Sequence, residues 1–403
     1  MREAVIVAAC RTAAGKANRG SLIHTRPDDM AGVVLAEVVK RAGIKPELVE
    51  DVVLGCAMPE AEQGMNLGRI AVHLAGFPDE VPAMTVNRFC SSGLQTIWNV
   101  ATDIMAGMID VGIAGGAETM TMIPMGGNKI VPNIKLGYER PGAYSSMGQT
   151  AENVAVRHKI SREDQDKFGL DSNLKAAAAI KEGRFKEQIV PLPTFLFDGK
   201  GGKKEFVYDT DEGPRADATI EGMQKLKPAF ANPAAGKEGA GTVTAANSSQ
   251  MSDGAAALLL MSREKADELK LKPLAKIHGY KVMGVEPEYM GMGPSKAIPA
   301  LMEKMGKKLG ITLDDIGVFE INEAFASQAI ACCRILGIDG DPRVNPNGGA
   351  IALGHPLGCT GAKLSTQLIY HMRDKNLRYG IVSMCIGGGM GAAGLFENLQ
   401  YKA

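Results

Sequence analysis

The chain repeats one series of landmarks, and that repetition restricts its fold more than any single motif does. In the first half, Leu48-Val-Glu-Asp51-Val-Val-Leu54 precedes Val86-Asn87, a helical segment after Cys90, and Ile109-Asp-Val-Gly-Ile-Ala-Gly-Gly116. In the second half, Leu313-Asp-Asp315-Ile-Gly-Val-Phe319 precedes Val344-Asn345, a helical segment after His355, and Tyr379-Gly-Ile-Val-Ser-Met-Cys-Ile-Gly387. Similarity at so long a period points to a duplicated domain, not to a short solenoid repeat. Any two α/β halves share some alternation, but here Cys90 and His355 both fall near the start of corresponding helices. Buried strands are expected at Val5–Ala9, Val52–Gly55 and Val111–Gly115, with helices at Asp29–Arg41 and Ser91–Ala106. Strands alternating with helices argue for an α/β architecture.

A segment of different composition separates the halves. From about residue 121 to 251 the chain is rich in Gly, Pro and charge, with breakers at Met125-Gly-Gly-Asn, Pro191-Leu-Pro193 and Gly199-Lys-Gly-Gly-Lys-Lys204. One helix is expected within it, from Ser161 to about Gly183. Its opening Ser161-Arg-Glu-Asp164 resembles a capping box loosely, with Asp where Glu or Gln is usual. The segment keeps an apolar periodicity, so it reads as an insertion covering a site and not as a linker. The expected division is a first half of residues 1–273 (core 1–120 and 252–273) carrying the insertion 121–251, then a second half of residues 274–403. A chain of 403 residues accommodates such a division.

Charge and cysteine content narrow the function. Lys+Arg and Asp+Glu both number 45, which argues against electrostatic nucleic-acid binding or a polybasic membrane anchor. Local basic contacts to a phosphorylated ligand remain compatible with that balance. The apolar run Ala4–Ala9 is too short for a signal core, no run reaches membrane-spanning length, and Gln400-Tyr-Lys-Ala403 is not a peroxisomal tripeptide. Seven cysteines, an odd number, suggest free thiols in a reducing cytoplasm. Without a Cys-x-x-Cys pair, zinc and iron–sulfur sites have little support, and no metal is expected.

Four motifs carry chemistry. Cys90-Ser-Ser-Gly93 follows the strand-like Ala83–Val86 and opens a helix, where the dipole and free N–H groups favour a thiolate. That context is expected to raise the ionised fraction of a thiol whose ordinary pKa is about 8.5. A buried, inert cysteine is the bland alternative. His355 stands between Gly354 and Pro356, a constrained turn from which an imidazole can act as general base; a surface-loop histidine is its alternative. Cys385 ends the apolar run Gly380–Met384 and precedes Ile386-Gly387-Gly388-Gly389, a place for a soft proton carrier beside amides that stabilise an oxyanion. Asn322-Glu-Ala-Phe325 follows the strand Ile316–Ile321. Its Asn322 amide donates without titrating, while Glu323 reads as a helix-opening acid. Cys10, Cys56, Cys332, Cys333 and Cys359 read as core residues. Gly389-Met-Gly391-Ala-Ala-Gly394 matches a dinucleotide fingerprint, but too few residues follow to build the βαβ unit and its distal acid.

Together these motifs resemble the thiolase family over essentially the whole chain. The resemblance implies two α/β halves in a five-layered αβαβα core with an inserted loop domain. It implies Cys90 as acyl-carrying nucleophile, His355 as its activator, and Cys385 as the acid/base acting at acetyl-CoA carbon. Asn322 would hold a water in the enolate hole. The N–H groups of Cys90 and Gly387 would form a second hole, and losing one such donor typically costs ~3 kcal/mol of transition-state stabilisation. Coenzyme A is implied as co-substrate, with no permanently bound cofactor, near Met147, Arg215, Phe230, Ser249, Met290, Ala324 and Phe325. Ser146 and Gly222 depart from the biosynthetic subgroup, which carries His and Ser there. Val86–Leu94 and Ser146–Val154 look more like degradative 3-ketoacyl-CoA thiolases than biosynthetic acetoacetyl-CoA thiolases. A cytoplasmic homodimer or homotetramer acting on acyl-CoA thioesters is expected, without nucleic acid or membrane insertion. Decarboxylating condensation and a non-catalytic CoA- or lipid-binding protein are the competing readings.

Overall fold

The computed structural model describes residues 2–230 and 241–402; residues 231–240, part of the expected insertion, lie outside the described residues. The first half supplies strands β1 (Ala4–Arg11), β2 (Asp51–Gly55), β3 (Ala83–Val86), β4 (Val111–Glu118) and β5 (Ser252–Ser262). The second supplies β6 (Ala275–Gly284), β7 (Ile316–Ile321), β8 (Tyr379–Ile386) and β9 (Met390–Asn398). In the first half the order is β3-β2-β4-β5-β1, with β2 parallel to both β3 and β4, and β5 antiparallel to both β4 and β1. In the second the order is β7-β8-β9-β6, with the same parallel and antiparallel senses. The place of β3 is taken there by one parallel bridge, Phe319 to Val344. Each half therefore winds its strands in one order, and the halves meet through a single pair, Ile6 with Ala275.

Helices complete five layers. On the outer face of the first sheet pack α1 (Pro27–Ala42) and α2 (Leu67–Leu74). Pro27 starts α1 at a position whose N–H is unused anyway, and Gly43 ends it at φ 66°, a left-handed cap that a side chain would strain. In the middle layer lie α3 (Ser92–Ala106) and, in the second half, its counterpart α8 (Thr360–Asp374). Leu94, Ile97, Val100 and Ile104 meet Ala362, Leu368 and Met372 there, sealed by Ile6, Leu258, Val382 and Phe396 from the strands. The outermost layer of the second half holds α6 (Gly293–Leu301) and α7 (Ala326–Leu336). Between β4 and β5 the chain makes α4 (Met147–Arg157), α5 (Arg162–Lys181) and a hairpin of Leu192–Phe197 with Lys203–Tyr208. Ser161 does cap α5, its hydroxyl accepting from the Asp164 N–H at 3.0 Å. Among the described residues no helix is long and apolar enough to cross a membrane.

The middle layer is so thin that α3 and α8 touch backbone to backbone. A Cβ on Gly93 would stand 2.6 Å from the Ala362 nitrogen, and one on Gly361 would fall on the Leu94 nitrogen. Neither obstacle is a flexible side chain, so the helices themselves would have to part. Gly361→Ala is expected to destabilise the fold by about 1–3 kcal/mol, read as a lowered urea midpoint. A midpoint equal to that of the unsubstituted chain would show that this crossing is not close-packed.

Candidate active site

Equivalent turns of the two halves deliver the chemistry. Cys90 does not stand in the first turn of α3, as expected, but in a 3-10 turn, Phe89–Ser91, just before it. His355 precedes the matching turn, Leu357–Cys359, which leads into α8. Phe89 has φ 44°, a left-handed conformation that is costly for an aromatic residue and is held beside the sulfur. Cys385 lies within β8, not beyond its end, and is fully buried. Asn322 follows β7 directly, its N–H donating to the Ser383 carbonyl at 2.9 Å.

These groups share one interior. The Gly387 and Cys90 amides favour the thiolate form of Cys90, and the charge of that thiolate raises the Cys385 thiol. Cys90 packs with Ala17, Ala57, Met120 and Leu357, with Met58 and Phe89 at the margin. Leu357 is two residues past His355, which brings the imidazole loop against the nucleophile. The Thr360 hydroxyl donates to the Pro356 carbonyl at 2.9 Å, so at 2.6 Å it accepts from Nδ1–H of His355. That arrangement leaves Nε2 as the bare nitrogen, where the Asn322 amide donates at 3.3 Å. The Asn322 carbonyl oxygen is buried without a protein partner, as a group that holds a water would be.

Electrostatics overturns one expectation from the sequence. Burial pushes the Cys90 thiol up to about 12, against the pull of the Gly387 and Cys90 amides. Desolvation disfavours the charged form more than two N–H groups and a helix start favour it. The resting group is thus a thiol and not a partly ionised sulfur. Burial, with Lys363 nearby, lowers His355 to about 3, so its imidazole is neutral at pH 7. Cys385 is raised well above the ordinary thiol range, first by burial and then by Cys90. The site thus brings together a neutral thiol, a neutral imidazole whose Nε2 carries no proton, and a second neutral thiol.

The residues assigned to coenzyme A fall into two groups. Met290, Ala324 and Phe325 form one apolar cluster with Cys385, Ala151 and Val243, with Met147 and Phe230 packed against it. The rings of Phe230 and Phe325 meet edge to face, 6.5 Å between centroids. Ser249 joins through its backbone, donating to the Ala324 carbonyl at 3.0 Å. Arg215 stands apart from that cluster. It lines a cavity of about 400 Å³ with Arg19, Thr219, Gly222, Gln250 and Ile351. The Gln250 carbonyl accepts the His355 N–H at 3.0 Å, so one residue separates this cavity from the imidazole. Of the two departures, Ser146 caps α4, accepting from the Gln149 N–H at 3.4 Å, and Gly222 faces the cavity. A larger cavity, about 680 Å³, lies elsewhere, between α5, α7 and residues 338–346. Glu323 reaches it as a buried acceptor from Ser172 and Asn345, and none of the groups around Cys90 lines it.

Sequence reasoning missed Thr360, Arg19, Lys363 and Glu118. Thr360 and Lys363 were legible only as the start of a helix after the histidine turn. Arg19 sits in a loop whose approach to Arg215 no spacing reveals. Residues 390–398, which contain most of the dinucleotide-like run, form β9, so that run is no phosphate loop.

Two family profiles match the chain: "Thiolase, N-terminal domain" over residues 4–264 and "Thiolase, C-terminal domain" over residues 271–398. A Bacillus subtilis protein named 3-ketoacyl-CoA thiolase is 53% identical over 401 residues, 98% of this chain and 100% of that protein. The human peroxisomal 3-ketoacyl-CoA thiolase is 44% identical over 397 residues, 98% and 91% of the two chains. The crystal structure of the dimeric peroxisomal thiolase of Saccharomyces cerevisiae superposes with a TM-score of 0.87 at 39% identity, covering 98% of this chain and 97% of that one. A Bacillus anthracis structure described as acetyl-CoA acetyltransferase gives 0.87 at 40%, covering 99% of each.

Proposed function

The chain belongs to the thiolase family, and from that premise we propose that it is a degradative 3-ketoacyl-CoA thiolase, cleaving 3-ketoacyl-CoA with coenzyme A to acetyl-CoA and a shortened acyl-CoA. The observation that supports this reading is that Cys90, His355, Asn322 and Cys385 are all buried and adjoin one another, Asn322 at 3.3 Å from His355 Nε2 and Cys90 beside Cys385 and the Gly387 amide. The Cys90 sulfur attacks the 3-keto carbon as its proton passes to His355 Nε2. The Cα–Cβ bond breaks, the electron pair moves into the thioester as an enolate, and Cys385 protonates the departing acetyl-CoA carbon. Coenzyme A then enters, its thiol passes a proton to the Cys385 thiolate, the acyl group moves from Cys90 to the new sulfur, and the leaving Cys90 thiolate takes its proton back from the His355 imidazolium. A ping-pong pattern follows from the covalent intermediate.

Substrate length is set at the walls of Cys90. Met58, Phe89, Met120 and Leu357 give the acyl group an apolar lining, which favours chains longer than acetyl. The coenzyme runs past Met147, Phe230, Met290, Ala324 and Phe325, with Arg215 at its phosphorylated end, and it is a co-substrate that leaves after each turnover. The division into halves at residues 273 and 274, with the insertion 121–251 carrying the coenzyme contacts, belongs to the same proposal. The outer edge of β3 pairs with no strand among the described residues, and a second copy of the chain would cover it in a homodimer or larger homo-oligomer. A cytoplasmic location completes the reading.

Purified protein mixed with 3-ketohexanoyl-CoA and coenzyme A is expected to lose the ketoacyl absorbance. Its kcat/KM for that substrate should exceed the value for acetoacetyl-CoA by about tenfold, the worth of one or two buried methylenes. Preference for acetoacetyl-CoA would favour acetoacetyl-CoA thiolase chemistry, and no turnover with any chain length would refute the proposal.

A further inference from the structure

A chain of hydrogen bonds ties the loop of His355 to the loop of Cys90, and one buried carboxylate is its hub. Glu118 ends β4 and is 1% exposed. Its Oε2 accepts from the Gly358 N–H at 2.7 Å and from the Ala57 N–H at 2.7 Å. Its Oε1 accepts from the Met58 N–H at 3.2 Å and from the Gln63 side chain at 2.8 Å. The Ala57 carbonyl in turn accepts from the Asn87 side chain at 2.9 Å, whose oxygen accepts the Phe89 N–H at 2.8 Å. The path runs from Gly358, three residues after His355, to Phe89, which adjoins Cys90 and holds the left-handed φ. Gly358 is committed to this approach, because a Cβ there would stand 2.7 Å from Glu118 Oε2 and 2.6 Å from Cys56 Cα.

We propose that Glu118 is a positioning residue for the thiolase reaction: it fixes the distance between the His355 loop of one half and the Cys90 loop of the other. The inference rests on the roles given to Cys90 and His355 above. Each of those four nitrogen donors gives its hydrogen to the carboxylate, so the ionised form fits this nest and a protonated or amide form does not. The same charge acts on the sulfur. The ionisable groups coupled to Cys90 are Glu118 from β4 and Cys385 from β8, with His355 on the loop whose Leu357 packs against Cys90. Burial raises Glu118 from the ordinary carboxylate range while the Ala57, Gly358, Gln63 and Met58 donors pull it back, and as the carboxylate it opposes thiolate formation at Cys90. It keeps the sulfur protonated until the imidazole is in place to take the proton.

Glu118→Gln separates this role from a merely structural one. It removes the anion, so the pH midpoint for alkylation of Cys90 by iodoacetamide, followed by peptide mass, is expected to move to lower pH. It also turns an amide N–H toward a donor, so kcat/KM for ketoacyl cleavage is expected to fall about 30-fold or more. A scaffold residue would lower the melting temperature and activity together without moving the midpoint. A midpoint left where the unsubstituted protein has it, or kcat/KM within threefold, overturns the proposal. If Glu118→Gln does not fold, Glu118→Asp decides: the charge stays, one methylene is lost, and kcat/KM should fall with an unmoved midpoint. Full activity in that variant also overturns it. A wild-type protein that takes no acetyl group from acetyl-CoA would sink the proposed function instead, and the alkylation profile would still be readable.

Discussion

Replacing Cys90 with alanine is expected to lower the rate of ketoacyl cleavage by roughly 10⁴-fold or more, because the covalent route disappears with the sulfur. The remaining groups still bind and orient substrate, so a small residual rate is expected. The substitution removes one atom from a site that is 7% exposed, with the flexible Met58 and Met120 among its neighbours, so folding should survive. Intact mass after mixing with acetyl-CoA gives the direct readout. The unsubstituted chain should gain an acetyl group on Cys90, and Cys90→Ala should gain none. Equal labelling of both proteins would place the acyl group elsewhere and remove the basis of the mechanism.

Replacing Cys385 with alanine should separate the two half-reactions. Cys385 packs in one cluster with Ala324 and Phe325, and its proposed role is to give or take the proton at the acetyl-CoA carbon. Exchange of the acetyl-CoA methyl protons with deuterated solvent is expected to fall by about 10²–10⁴-fold, the usual worth of a general acid or base. Acylation of Cys90 needs only Cys90, His355 and the Gly387 and Cys90 amides, so the adduct should still form. A variant that exchanges protons at the original rate would contradict the role given to Cys385. Loss of both reactions together would mean that the pocket, not the proton carrier, had been damaged. The raised pKa of Cys385 gives the direction of pH dependence. The thiol form persists at neutral pH, so protonation of the carbanion should stay constant there and fall only in strong alkali.

The elements were largely legible. Ala83–Val86 and Ile316–Ile321 have the expected bounds, and β1, β2, β4 and α1 extend those expected by one to three residues at one or both ends. Strand termini drift because ladder pairing, which the local pattern does not contain, sets where a strand stops. Cys385 lies inside β8 for that reason, since it pairs with Gly391 across the sheet. Cys90 lies before α3 because Asn87 and Ser92 bond the backbone of residues 88 and 89 and tighten that turn. The coenzyme residues Met147, Phe230, Met290, Ala324 and Phe325 were named one by one from resemblance, and packing brings them into one cluster.

The order of landmarks along the chain by itself determined the duplication and the α/β class and singled out the candidate reactive side chains, because hydrophobic period and glycine placement are local properties that survive in a linear string. Only the tertiary structure decided their protonation and mutual reach. Desolvation depends on everything packed around a group, and so Cys90 rests as a thiol where its helix-start context suggested otherwise. Glu118 escaped sequence reasoning for the same reason: three of its donors lie in residues 57–63 and the fourth, Gly358, in the other half of the chain, and only closure of the two halves brings that fourth donor to the carboxylate.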